Sequence, residues 1–233
     1  MSSTNVRAVL LDIEGTTTPI SFVHDILFPY SRLHFKSYLE QHADSSEVIA
    51  DLAQLRNEHI VDVDTGQEPP PVIEEYVYWL IDRDRKSPAL KSLQGKIWEQ
   101  GYKDGTLKSP VFADVPPALQ RWQDAGISVN IYSSGSVFAQ KLLFGHTDAG
   151  DLTRFINGYF DTSVGKKIEA DSYQQIATAL STATIEIHFI SDVIAELDAA
   201  SHAGMKTSLC IRPGNAAQHS NSRHQMIRSF DEL

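Results

Sequence analysis

Two carboxylates, Asp12 and Glu14, stand two residues apart in the stretch VLLDIEGTTTPI, directly after an apolar run and directly before Gly15 and three threonines. Three more polar clusters occur at long intervals: Ser133, Ser134 and Gly135; Lys166 and Lys167; Ser191 and Asp192. Carboxylates, hydroxyls and an ammonium together suit a phosphate ester, with one carboxylate as nucleophile and another as proton carrier. Bringing a carboxylate up to a phosphate dianion costs about 4 kcal/mol per unit pair at about 4 Å and an effective dielectric near 20, so about 8 in all. Cationic charge must therefore arrive at the same point, from a lysine or from a hard divalent ion such as Mg2+ held by few protein oxygens.

Taken singly, each cluster has a plainer reading. Asp-Ile-Glu-Gly is also a turn sequence, the serines and the Ser-Asp pair are also helix caps, and paired lysines also form a solvated face. What separates the readings is whether the elements of the chain bring the clusters together.

Val9, Leu10 and Leu11 read as a buried strand of a parallel sheet, which places Asp12 and Glu14 at its carboxyl end. From FADVPPALQRWQDAG onward, strands at ISVNIYSS, GYFD, IEIHFISD and KTSLCIR alternate with helices at SVFAQKLLFGH, ADSYQQIATAL and VIAELDAASHAG. That alternation predicts βαβ units with right-handed crossovers, so the polar residues after each strand share one edge of the sheet, where open α/β sheets bind ligands. Between the first strand and this repeat lie about ninety residues of helical pattern, interrupted at Pro29. The expected organisation is an α/β core of residues 1–19 and 109–233 with a helical insertion of residues 20–108, placed to act as a lid.

With 30 acidic and 20 basic residues, the formal net charge of −10 argues against nucleic acid or an anionic membrane as the main partner. It leaves room for an anionic small molecule, since a few lysines can invert the field within a pocket. The single cysteine, Cys210, sits in an apolar run and reads as a core residue, which rules out an internal disulfide framework. No run approaches the roughly 18 to 20 apolar residues of a membrane span, the start MSSTNVR has no apolar leader region, and the nine histidines show no metal-ligand spacing. A soluble intracellular protein is expected.

In order and spacing, DIEGTT, SSG, GKK and SDVIAE resemble the four motifs of the haloacid dehalogenase superfamily of phosphotransferases. Most phosphatases of that superfamily have Asp two residues after the first, where this chain has Glu14. Asp-X-Glu-Gly-Thr-Thr is similar instead to the enolase-phosphatases of methionine salvage, as are FVHDILFPY, FADVPPALQRW, YSSGSVFAQKLLFGHT and RPGN. The resemblance implies a Rossmann-like parallel-sheet core of haloacid dehalogenase type with an inserted helical cap. It implies enolisation of 2,3-diketo-5-methylthiopentyl-1-phosphate and then dephosphorylation to an acireductone.

The same resemblance assigns roles. Asp12 becomes the nucleophile and Glu14 the acid and base, and the extra methylene of Glu14 offers reach to a substrate carbon. One Mg2+ ion takes the Asp12 carboxylate, the Glu14 backbone carbonyl and the Asp192 carboxylate. Ser133, Ser134 and Lys167 bind substrate; Gly165-X-Lys167 fits the motif better than Lys166. Glu196, one helical turn after Asp192, reads equally as a support for the metal shell and as a solvated residue. Phe22, Phe28 and Tyr30 are candidate walls for the methylthio tail, against the plainer reading of core packing. Relatives of this kind are expected to be monomers in the cytoplasm, some eukaryotic ones also in the nucleus. A plain phosphatase, a phospho-accepting receiver module and an inactive scaffold stay open as alternatives.

Overall fold

The computed structural model describes residues 6–83, 85, 87–216 and 223–233; the expectation about the start MSSTNVR falls mostly outside the described residues. The chain divides into two compact units, Met1–Val23 with Lys108–Leu233, and His24–Leu107.

The first unit is built on one parallel sheet. Its strands are β1 (Ala8–Leu11), β2 (Ser128–Tyr132), β3 (Gly158–Phe160), β4 (Ile187–Ser191), β5 (Lys206–Cys210) and β6 (Gln225–Ile227), in the spatial order β3-β2-β1-β4-β5-β6. Strand β1 is central, paired in parallel with β2 on one side and β4 on the other. All four of its residues are buried, which is why AVLL carries no polar alternation. Since the chain builds outward from β1 through β2 and β3, then returns to build through β4, β5 and β6, the strand order reverses at β1. A crevice opens at such a switch point, beyond the carboxyl ends of the strands.

The strands are shorter than their apolar patterns. Ile185 and Glu186, expected as the start of a strand, lie instead in a 3-10 turn, Thr184–Glu186, and β4 begins at Ile187. The sixth strand was not expected: QMI is three residues long, comes after a polar stretch, and has no pattern of its own.

The second unit contains α1 (Phe28–Gln41), α2 (Ser46–Asp64), α3 (Ile73–Asp82) and α4 (Pro88–Lys103). Pro29, expected to interrupt a helix, lies in the first turn of α1 and within an unbroken helical run, whose geometry changes just before it. A π-helical stretch, Phe22–Leu27, precedes it. Ser87 caps α4 by accepting the Leu90 N–H at 3.0 Å, with Pro88 as the first helical residue. Phe35, Leu55, Tyr76, Leu80, Leu93 and Ile97 form a core belonging to this unit alone.

Back in the first unit, α5 (Val115–Asp124) leads into β2, and α6 (Val137–Gly145), α7 (Ala170–Ala179) and α8 (Ile194–His202) are the crossovers between successive strands. Tyr173 and Ile176 of α7 and Leu197 and Ala200 of α8 bury Leu10, Phe189 and Leu209 on one face of the sheet. Cys210 is fully buried. No described helix is long and apolar enough to cross a membrane.

Candidate active site

Asp12 continues the ladder of β1, its N–H donating to Ile190 O at 3.0 Å, and its side chain stands at the switch point, 5% exposed. The chain then folds into a tight turn in which Ile13 O accepts the N–H groups of Thr17 and Thr18 at 2.9 Å and of Thr16 at 3.2 Å. Half-buried Glu14 bridges Thr18 within the turn. Gly15 has φ +72°, and a Cβ there would lie 2.5 Å from Asp192 Oδ2 and 2.9 Å from Asn215 Oδ1. No other residue fits that backbone shape and that close approach.

Lys167 enters the same place from the loop after β3. Its Nζ lies 2.6 Å from Asp12 Oδ1 and 2.7 Å from Glu196 Oε2, and the side chain is 7% exposed. Lys166 points away, 75% exposed and paired with Glu169 at 3.2 Å. Three consecutive carbonyls decide between the lysines. Tyr132 OH donates to Gly165 O at 3.0 Å, Ser172 Oγ to Lys166 O at 2.8 Å, and Tyr173 OH to Lys167 O at 2.6 Å. Gly165 has φ +133°, and a Cβ on it would collide with Ser172 Oγ.

Strand β4 delivers Ser191 and Asp192. Ser191 Oγ donates to Glu196 Oε2 at 3.1 Å and accepts the Val193 N–H at 3.1 Å, so it orients Glu196 toward Lys167. Strand β2 delivers Ser133, buried, whose Oγ accepts the Gly135 N–H at 3.1 Å. The cap of α6 is neither Ser133 nor Ser134 but Ser136, which accepts the Ala139 N–H at 3.3 Å. Ser134 is exposed. Gln140 secures this loop, donating from Nε2 to Gly135 O and Phe160 O, each at 2.8 Å. The structure thus converges Asp12, Lys167, Asp192 and Glu196 directly, with Ser133 at the carboxyl end of the neighbouring strand.

Charge in the cluster is unbalanced: three buried carboxyl groups, Asp12, Asp192 and Glu196, face one buried ammonium. Burial, then the Asp12 charge, pushes the Asp192 carboxyl up to about 7. Burial and Asp12 likewise push Glu196 up to about 7, against the pull of Lys167. Burial alone would depress the Lys167 amine; Asp12 and Glu196 carry it well above its ordinary value.

A cluster so acidic fits a small hard cation. Among the described residues no three His, Cys, Asp or Glu side chains form a ready cage, but Mg2+ takes one or two carboxylates and keeps several waters. Asp12 and Asp192 would supply that donor set, beside a glycine whose missing Cβ leaves room at Asp192 Oδ2. Stability should depend on pH accordingly. Because Asp192 and Glu196 bind protons more tightly folded than unfolded, the metal-free protein loses stability as pH rises from the ordinary carboxyl range of 3.8 to 4.5 toward about 7. Melting in EDTA should peak on the acid side of that window, and the stabilisation from added Mg2+ should grow with pH. A Mg2+ effect flat across pH 5 to 8 would contradict this.

The C-terminal stretch supplies residues that sequence reading left without a role. Arg212 Nε donates to Thr16 O at 3.1 Å, and its other nitrogens grip Asp114 at 2.9 and 2.8 Å. The guanidinium lies 4.5 Å from the Phe112 ring and 4.8 Å from that of Phe230. The stretches FADVPP and RPGN therefore brace the turn after Asp12 from behind. Of the three aromatic residues considered as tail walls, Phe22 is buried, Phe28 packs 6.3 Å from Trp98, and Tyr30 packs on Gly101.

Known proteins share this arrangement of sequence and fold. Residues 6–204 match the family described as haloacid dehalogenase-like hydrolases. The chain is 50% identical to enolase-phosphatase E1 of Synechococcus elongatus over 98% of both chains. It is 42% identical to enolase-phosphatase E1 of Xenopus tropicalis, covering 98% of this chain and 94% of that one. It is similar to the crystal structure of the UTR4 protein of Saccharomyces cerevisiae, with a TM-score of 0.83 and 39% identity over 98% of this chain and 100% of that one.

Proposed function

We infer this protein's reaction from its family, for the chain belongs to the haloacid dehalogenase-like hydrolases and, within them, to the enolase-phosphatases. It is a phosphatase and an enolase at one site: it converts 2,3-diketo-5-methylthiopentyl-1-phosphate to the acireductone 1,2-dihydroxy-3-keto-5-methylthiopentene and phosphate, a step of methionine salvage. The observation that carries the assignment of residues is the buried Asp12–Lys167–Glu196 chain beside Asp192 at the switch point.

Asp12 is the nucleophile. One of its oxygens bonds to phosphorus as the ester P–O bond breaks, and water then attacks the aspartyl phosphate to release phosphate and restore the carboxylate. Lys167 spends two of its three N–H groups on Asp12 and Glu196; the third is available to a phosphate oxygen. Ser133 and Ser134 bind the remaining phosphate oxygens. Glu14 takes the proton from the carbon bearing the phosphate and later gives it to the leaving oxygen; it then accepts a proton from the attacking water and passes it to the enolate oxygen, which returns Glu14 to its carboxylate form. One Mg2+ ion, held by the Asp12 and Asp192 carboxylates and the Glu14 carbonyl, supplies Lewis-acid stabilisation of the charge on phosphate and dicarbonyl oxygens. The protein works as a cytoplasmic monomer on this small phosphorylated substrate; a nuclear location finds no support in the fold, the site or the relatives.

An ultraviolet time course with the diketo-phosphate or a non-sulfur analogue, run beside a phosphate-release assay, tests the reading. A transient enol absorbance and then phosphate, both stopped by EDTA, is expected. Phosphate from general esters with no enol signal would make the protein an ordinary phosphatase. Glu14→Asp should lower the enolisation rate by roughly a hundredfold, the low end of general-base effects, while phosphate release from a simple ester falls less. If both half-reactions keep their full rate, the reach argument for Glu14 is wrong.

A further inference from the structure

Asn215 lies behind the turn after Asp12, two residues beyond the Arg-Pro pair. Its Nδ2 donates to Gly15 O at 2.9 Å and to Cys210 O at 3.4 Å. Both partners are carbonyls and can only accept, so the amide cannot be turned over, and the position of Oδ1 is fixed by these bonds. That Oδ1 is buried and has no hydrogen-bond partner among the described residues. It faces the open side of Gly15, where a Cβ would lie 2.9 Å from it and 2.5 Å from Asp192 Oδ2. Two oxygens therefore converge on one small space, each an acceptor when Asp192 is charged. A buried amide oxygen left without a donor is destabilising.

We infer that Asn215 is a positioning residue of the cation site, its Oδ1 accepting a hydrogen bond from a water that the divalent cation brings to Asp12 and Asp192. The inference rests on the Mg2+ reading proposed for the site. It explains why a side chain from beyond the last long strand is braced against Gly15, the glycine of the Asp12 turn that approaches Asp192. Mg2+ keeps most of its water when bound by proteins, and those waters are strong donors that need fixed acceptors. Asn215 supplies one without adding charge to a cluster already rich in carboxylates.

Calorimetric titration of the full chain with Mg2+ at pH 7.5 separates the possibilities, with thermal melting in EDTA as the measure of folding. Asn215→Leu, similar in shape and without either polar atom, should weaken Mg2+ binding by about 10- to 100-fold, the usual effect of losing an outer partner of a metal site. Asn215→Asp keeps the acceptor and loses the donor to Gly15 O; it should bind Mg2+ at least as tightly as the parent. Equal weakening in both variants would assign the effect to the Nδ2 brace and overturn the inference. So would Mg2+ affinity within twofold of the parent in a cooperatively melting Asn215→Leu. If that variant does not melt cooperatively, Asn215→Ser, too short to reach the site, is read against the same limits. Failure of the unaltered protein to bind Mg2+ would remove the cation site itself, and this inference with it.

Discussion

Asp12→Asn should lose phosphate release by roughly ten-thousandfold or more, because an amide oxygen is too poor a nucleophile to displace the ester oxygen and no second carboxylate occupies its position. The same change should leave the fold as stable as before or more so. Asp12 is one of three buried carboxyl groups served by one ammonium, and its charge helps to push both Asp192 and Glu196 up to about 7. Removing it relieves that crowding, while Lys167 keeps its bond to Glu196 at 2.7 Å. The measurement is single-turnover phosphate release together with melting in EDTA at pH 7. A dead but equally or more stable variant is the expected result. Residual turnover within a hundredfold of the parent would mean that water attacks phosphorus directly and that Asp12 is not the nucleophile. A dead and strongly destabilised variant would mean that the Asp12–Lys167 pair holds the fold together more than the carboxylate crowding opposes it.

Lys167→Ala should move both observables downward. It leaves Asp12 and Glu196 buried without their common cation, and breaking a buried pair from one side costs about 3–5 kcal/mol. It also removes the ammonium proposed to offset phosphate charge in the transition state, an expected loss of about 100- to 1000-fold or more in turnover. Lys166→Ala is the control: its side chain is 75% exposed and tied only to Glu169, an exposed pair contributing about 0–1 kcal/mol. Turnover within twofold of the parent is expected there. If Lys166→Ala were the inactive variant, the direction of the lysine pair would reverse on substrate binding, against the three hydroxyls that now hold its backbone.

The two substitutions therefore share a catalytic outcome and differ in the sign of their effect on stability. That difference separates chemistry from folding without a substrate. In EDTA, the loss in Lys167→Ala should deepen as pH rises toward 7, since more of the orphaned carboxyl charge is then present.

The amino-acid sequence by itself determined the class of fold and the order of the polar clusters. Val9–Leu11 had to be buried on both faces, a helix-strand alternation on this scale closes only as parallel crossovers, and parallel strands deliver the residues at their carboxyl ends to one edge. Gly15 was conspicuous beside two carboxylates, though its reason was not: the contact a Cβ would make is with Asp192, 177 positions further on in the numbering. Beyond that, local pattern was silent. Spacing and periodicity alone did not choose between Lys166 and Lys167; the resemblance of Gly165-X-Lys167 to a family motif favoured Lys167, and the physical reason lies in hydroxyls of Tyr132, Ser172 and Tyr173 that close on the loop only in the folded chain. It left Glu196 as readily solvated as functional, since its partners, Lys167 and Ser191, sit on other elements. Strand β6 and the bracing of the Asp12 turn by Arg212 and Asn215 were equally hidden. Each of these depends on at least one contact between different elements of the fold, such as Tyr132 with Gly165, Lys167 with Glu196, or Arg212 with Thr16, and propensity and periodicity record only what neighbours impose on one another. The tertiary structure decides which distant groups meet, and with it which of several chemically suitable residues is buried with Asp12.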